Sequence, residues 1–141
     1  MKIRPVHEND SETIVALLDQ LGYSDTKDFI KEKINLLLEN PNEYFVVAEN
    51  EGTVIGFISI HIIPQIALKG DFARISYFCV DENFRSSGTG KLLEEYAEKI
   101  ARERNCDRIE LHCHSRREKA HQFYYRQGYT ESPKYLFKKL V

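Results

Sequence analysis

At 141 residues, with 42% hydrophobic and 30% charged side chains, the chain has the make-up of a globular domain that can bury a core without disulfides or metal. Its 20 basic and 22 acidic residues nearly cancel, which removes any electrostatic drive toward nucleic acid. No apolar run reaches the roughly 18–20 residues of a membrane span, and Met1-Lys2-Ile3-Arg4-Pro5 lacks a signal-peptide core, so a cytoplasmic protein with no membrane partner is expected.

Lys2 to Val6 reads as a short first strand. Asn9 and Asp10 are helix-cap residues, with Glu12 three positions after Asn9 as in a capping box; Ile14, Leu17, Leu18 and Leu21 then recur at helical spacing until Gly22. A second helix starts at Asp25, carries Phe29, Ile30, Ile34, Leu37 and Leu38, and stops at Asn40-Pro41, because proline drives the residue before it out of the helical region. The period then changes. Tyr44 to Asn50 and Thr53 to Ile63 form a hairpin around Glu51-Gly52, ended by Pro64. Phe72 to Val80 is a third strand whose apolar end suggests burial on both faces.

A long helix from about Gly88 to Arg104 carries Leu92, Leu93, Tyr96, Ala97 and Ile100 on one stripe. Arg108 to His114 alternates, with Ile109, Leu111 and Cys113 on one face and Glu110, His112 and His114 on the other. Ser115-Arg116-Arg117-Glu118 reads as a capping box opening a short helix closed by Gly128, and Tyr135 to Leu140 as a last strand. With no repeat, low-complexity tract or linker, a single domain over residues 1–141 is expected, a mixed α/β or α+β sheet with helices on both faces. The three cysteines, Cys79, Cys106 and Cys113, have no CxxC spacing and read as thiols, with Cys79 and Cys113 as small core hydrophobes.

The chemistry concentrates in Cys79-Val80-Asp81-Glu82-Asn83-Phe84-Arg85-Ser86-Ser87-Gly88-Thr89-Gly90-Lys91: a strand, a polar connection, two glycines and the first turn of an amphipathic helix. Unpaired amides and the helix dipole make such a start an anion site, glycines let a phosphate come close, and Arg85 and Lys91 add positive charge. A Walker P-loop fails, since arginine stands at 85 and leucine at 92, and no dinucleotide GxGxxG is present.

Arg85-x-x-Gly88-x-Gly90 after a strand resembles the coenzyme A pyrophosphate loop of the GNAT N-acetyltransferases. Downstream, Ala120-His121-Gln122-Phe123-Tyr124-Tyr125-Arg126-Gln127-Gly128-Tyr129 resembles that family's last helix, and a helix and one strand separate the two motifs, as in the family. The ending through Lys139-Leu140 and Ala120-His121-x-Phe123-Tyr124 look most like bacterial aminoalkylphosphonate and aminoglycoside acetyltransferases. The resemblance implies a mixed, mostly antiparallel sheet of about six to seven strands.

It also implies acetyl-coenzyme A as cosubstrate and an amine as acceptor, without metal. Backbone groups of Phe78, Cys79 and Val80 would pair with pantetheine, and amides of Ser86, Ser87, Gly88, Thr89, Gly90 and Lys91 would hold the pyrophosphate, beside Arg85. Tyr124 holds the position of the family's tyrosine by the thioester sulfur, a proton donor to the leaving thiolate. The base position falls at Tyr77, where many relatives carry glutamate, or at His112, where others do; a base acting through water leaves no trace in the sequence. Arg117 replaces an asparagine that contacts coenzyme A, and could pair with a phosphate instead. His121 reads as a solvated helix residue, and alternation turns Cys113 away from His112 and His114, against a metal site.

On the acceptor side, Lys69, Arg74 and His61 could meet an acidic or phosphonate amine or could be plain surface charges. The acceptor could also be a protein N-terminus or lysine, and a coenzyme A-binding module without turnover is the other functional class. The sequence does not decide between a monomer and a homodimer.

Overall fold

The β-branched and aromatic runs of the chain become strands of one sheet. The computed structural model describes residues 1–113, 115–132 and 135–141. Two compact units make up the chain, Met1–Glu110 and Leu111–Val141. Among the described residues the sheet has five strands, β1 (Lys2–Pro5), β2 (Glu43–Asn50), β3 (Thr53–Ile63), β4 (Asp71–Val80) and β5 (Cys106–Leu111), standing in that order. The first four pair antiparallel. Glu51 and Gly52, with φ of 51° and 81°, make the tight turn between β2 and β3.

One face of the sheet is covered by α1 (Ser11–Leu21) and α2 (Ile30–Glu39). Their Ile14, Leu17, Leu18, Ile30 and Ile34 meet Val6, Phe45, Val47, Phe57 and Cys79 in one buried cluster. Truncating a fully buried residue such as Leu17 to alanine costs about 2–5 kcal/mol in sites of this kind. α3 (Thr89–Glu103) packs on β3 and β4. Its close approach requires Gly56: a Cβ there would sit 2.9 Å from the Cys79 carbonyl oxygen and 3.3 Å from the Leu93 side chain. Since Gly56 and Phe57 are neighbours on a strand, α3 lies on the face opposite α1 and α2. Arg4 ties β1 down with two 2.9 Å hydrogen bonds to the Asp10 carboxylate and a third to Glu49.

Several boundaries differ from the sequence expectation. The first cap is His7, whose Nδ1 accepts from the Asn9 amide at 3.0 Å while its own amide donates to Asp10 at 2.8 Å, so Asn9 is inside the turn and not its cap. α2 begins at Ile30 and not at Asp25, because Asp25 takes a left-handed φ of 61° and a turn on the Thr26 carbonyl intervenes. β4 is not buried on both faces at its end: Ser76 and Tyr77 are exposed where the register slips between Ser59 and Ile60. β5 ends at Leu111, so the alternation read through to His114 stops three residues early; His114 itself lies outside the described residues.

In the second unit, α4 runs over Glu118–Arg126. Its N-cap is Arg117 without a side-chain cap bond, so the capping box read at Ser115 does not form. Gly128, with a φ of 95°, closes the helix as expected, and the Tyr129 amide returns to the Tyr124 carbonyl at 3.0 Å. Residues 135–141 are not a strand: Tyr135, Leu136, Phe137, Leu140 and Val141 are exposed, without the ladder partners a strand needs among the described residues. Among the described residues, the expected six to seven strands are therefore five. Among the described residues, no helix is long and apolar enough to cross a membrane.

Candidate active site

The connection from β4 to α3 is held at both ends before any ligand is considered. The Asp81 amide donates to the Ile55 carbonyl at 2.8 Å, and the Asp81 carboxylate caps the turn Glu82–Phe84 through the Asn83 amide at 3.0 Å. The Glu82 amide reaches the Gln20 side chain at the end of α1 at 3.0 Å. Thr89, only 1% exposed, anchors the helix start and shares a 2.8 Å hydrogen bond with Ser87.

Between these anchors the backbone bends as a phosphate cradle does. Ser86 and Gly88 both take left-handed conformations, with φ of 67° and 88°. A non-glycine residue held there costs of order 1–3 kcal/mol, and turns of this kind gather backbone N–H groups into anion-binding concavities. Gly88 is the N-cap of α3 and brings no side-chain cap; the first helical bond recorded back to it is from Leu92 to its carbonyl at 3.1 Å. The first-turn amides of α3 thus have no intrahelical acceptor. Arg85 to Gly88 and Lys91 are exposed; the Arg85 Nε–H reaches the Val80 carbonyl at 3.4 Å, and Lys91 lies 3.9 Å from Glu95 one turn on. This segment can receive a pyrophosphate on backbone groups, with two cations at its rim.

β4 leads into the cradle. Cys79 is buried, and its thiol points toward the Leu17 carbonyl at 3.3 Å, which bears out its expected place in the core. Phe78 and Val80 are half-buried. Tyr77 is exposed and meets the Tyr23 ring edge-on at 5.3 Å.

The second unit holds the other expected residues. Tyr124 is half-buried on α4, T-stacked with Phe123 and Tyr129 at 5.5 Å each. Burial pushes its phenol up to about 12, with the Cys113 thiol adding to the shift and Arg117 opposing it. Arg117 also draws the Cys113 thiol down against a burial that raises it on balance. Cys113 and Arg117 are thus groups whose charge bears on the Tyr124 phenol. Cys113 is half-buried and not fully in a core as expected. His112 is exposed past the end of β5, its ring stacked on Tyr135 at 4.1 Å. His121 is half-buried, 6.4 Å from the Tyr125 ring. Among the described residues, no group of three or more His, Cys, Asp or Glu is arranged to hold a metal.

Sequence reasoning missed two residues that the sheet brings to a polar row. Glu43 lies against His61, and Glu110 against Arg74. Neither carboxylate belongs to a local motif; the signal that would find them is strand register, which one sequence does not print.

The model of the acetyltransferase (GNAT) family matches residues 10–129. An aminoalkylphosphonate N-acetyltransferase of Salmonella typhimurium is 29% identical over 136 residues, 93% of this chain and 86% of that protein. The crystal structure of a transcriptional regulator from Bacillus halodurans C-125 superposes with a TM-score of 0.89 at 22% identity, covering 99% of both chains. A glucosamine-6-phosphate N-acetyltransferase from Arabidopsis thaliana superposes with a TM-score of 0.85 at 22% identity, covering 99% of this chain and 98% of that one.

Proposed function

This chain belongs to the acetyltransferase (GNAT) family, and on that premise we propose that it passes an acetyl group from acetyl-coenzyme A directly to the primary amine of a small molecule. The observation that carries the reading is the cradle: two left-handed residues, Ser86 and Gly88, leading into an uncapped helix start between anchored ends. The relative that acetylates aminoalkylphosphonates supports a small charged amine as acceptor.

Acetyl-coenzyme A would lay its pyrophosphate on the amides of Ser86 to Lys91, with Arg85 and Lys91 at the rim, and its pantetheine along Phe78, Cys79 and Val80. An alkyl ammonium group has an ordinary pKa near 10.4, so at neutral pH it must lose a proton before it attacks the thioester. A strand amide at Phe78 or Cys79 is the proposed donor to the oxyanion. The leaving thiolate, with a pKa of roughly 8.5 by analogy with cysteine, takes its proton from Tyr124. A phenol pushed up to about 12 keeps that proton at every working pH, and the positive charge of Arg117, which opposes that rise, favours the phenolate that forms as the proton leaves. Arg117 acts in this reading through Tyr124 as well as toward a phosphate. For the base, the resemblance nominates His112, exposed past β5, or Tyr77 on β4.

A panel of amines incubated with the protein and acetyl-coenzyme A, with released thiol read by a reactive dye, tests the reading. Amine-dependent thiol release from small amines is expected. Release only with peptides bearing a free N-terminus or lysine would move the acceptor to proteins. Tight coenzyme A binding with no release from any amine would reject an enzyme in favour of a coenzyme A-binding module.

A further inference from the structure

Two aromatic rings stand in water beside the reacting strand. Tyr23 and Tyr77 meet with 5.3 Å between ring centroids and planes 80° apart, the edge of one against the face of the other. Both stay open to solvent, 50% and 42% exposed. Aromatic surface from two side chains, left exposed together, is the kind of patch that marks a binding site.

Rigid backbone sets both rings. Gly22 ends α1 with a φ of 103°, and the Tyr23 amide returns to the Leu18 carbonyl at 2.8 Å, so Tyr23 follows a fixed helix end. Tyr77 lies opposite Ser59 on β3, next to the register slip that sets Ile75 opposite Ile60 and leaves Ser76 as a bulge residue. It is two residues before Cys79, whose thiol points to the Leu17 carbonyl of α1, so Tyr77 shares the face of the sheet that α1 covers. The pair therefore joins the end of α1 to β4.

In the proposed reaction this is the acceptor's path. The peptide bond after Tyr77 carries the Phe78 amide, one of the two donors assigned to the oxyanion, and consecutive Cα atoms are about 3.8 Å apart. A thioester carbonyl on that amide has the root of the Tyr77 side chain beside it. At neutral pH an alkyl amine arrives as its ammonium form, since its ordinary pKa is near 10.4. A cation within about 6 Å of an aromatic centroid is drawn to the negative face of the ring. The connection after Tyr23 carries Asp25, Lys27 and Asp28, one more acid than base, which also suits a cation.

We propose that Tyr23 and Tyr77 seat the acceptor's ammonium group against their ring faces, so that the site selects alkylammonium compounds over neutral molecules of the same shape. This rests on the N-acetyltransfer reading and names the feature of the acceptor that the chain recognises. The role belongs to the rings and not to the Tyr77 hydroxyl. The attraction ends when the ammonium gives up its proton to attack, so the rings hold the ground state more than the transition state.

The test uses tetramethylammonium, a cation with no N–H to acetylate, and tert-butanol, a neutral molecule of similar size. Steady-state rates are measured with an aminoalkylphosphonate, or another amine that supports thiol release, as the varied acceptor. Tetramethylammonium should compete with the acceptor and not with acetyl-coenzyme A, while tert-butanol should not compete. Tyr23→Leu and Tyr77→Leu should each weaken that inhibition and raise the acceptor KM about 3–30-fold, with a smaller fall in kcat and unchanged coenzyme A affinity. Tyr23→Phe and Tyr77→Phe keep the ring faces and should keep the inhibition. Inhibition that survives both leucine variants unchanged would leave the pair a clasp between helix and strand and overturn the inference. Equal inhibition by tert-butanol overturns it too, since the wall would then receive apolar groups. If one leucine variant does not fold, the other decides by the same readout. A wild type that acetylates no amine rejects the transfer reading and this inference with it.

Discussion

The cradle and the polar row lie in the same unit, yet they are built by opposite means. Arg85 to Lys91 is one continuous stretch whose backbone amides are set by two left-handed residues, Ser86 and Gly88. Glu43, His61, Arg74 and Glu110 come from four different strands, and their chemistry is entirely in the side chains. A backbone site tolerates change at most of its side chains and fails when its conformation or its field is altered. A side-chain row keeps its fold through substitution and changes what it accepts. The backbone stretch is therefore the conservative part of this unit in physical terms, and the side-chain row the adjustable part.

The largest effect should come from side-chain chemistry. Tyr124→Phe keeps the ring and its stacking partners but removes the hydroxyl, so turnover should fall about 10²–10⁴-fold with little change in coenzyme A affinity. Tyr125, exposed and about 100° around the helix, is the control, and Tyr125→Phe should cost little. Because the Tyr124 phenol is pushed up to about 12, it stays protonated through the whole working range, and no alkaline fall in kcat from this residue should appear below about pH 11. A fall near pH 9 to 10 that vanishes in Tyr124→Phe would show that the hydroxyl titrates much lower.

Next in size is a pair at Gly88. Its φ of 88° strains any side chain, but a Cβ there meets no atom within 4 Å, so Gly88→Ala costs conformation alone, about 1–2 kcal/mol of stability. Gly88→Asp adds a carboxylate at the helix start, and aspartate tolerates the left-handed region better than alanine. The aspartate variant should melt no lower than the alanine variant and bind coenzyme A at least about tenfold more weakly, a difference of about 1.4 kcal/mol. Equal affinities would show that the glycine serves the turn and not the phosphate.

The smallest effect should fall where neither site is touched. Arg4 holds the Asp10 carboxyl below the usual carboxylate range, mainly through their paired hydrogen bonds. The folded state thus favours the ionised form, so this stabilisation is complete above the ordinary pKa near 3.9 and is lost as pH falls through the depressed value. Asp10→Asn should cost about 1–3 kcal/mol at neutral pH by denaturant titration, less at pH 3, and leave coenzyme A affinity unchanged.

How much of this was legible in the sequence follows the same division. The Cys79-to-Lys91 motif is local, so its place between β4 and α3 was readable, down to the glycine at the helix start. The hairpin turn at Glu51-Gly52 and the stop at Gly22 were readable for the same reason, since a left-handed φ favours few residue types. Helix starts were less so. Asp25 has the chemistry of a cap but sits in a left-handed turn, and Ser115 has it too but precedes a helix that begins three residues later. Cap residues mark only that a turn is near. Residues 135–141 have strand propensity but no partner strand among the described residues, and pairing is decided by tertiary structure. The pairs Glu43–His61 and Arg74–Glu110 needed the register of four strands, with a bulge in β4, before they became neighbours at all.

The most direct test of the account follows the acetyl group itself. Acetyl-coenzyme A carrying an isotopically labelled acetyl group is mixed with the protein, with and without a small amine that supports thiol release, and both protein and amine are examined by mass spectrometry. Direct transfer predicts label on the amine nitrogen and none on the protein in either mixture. Label held on the protein, at Cys113 or another thiol, and chased onto the amine only afterwards would contradict it.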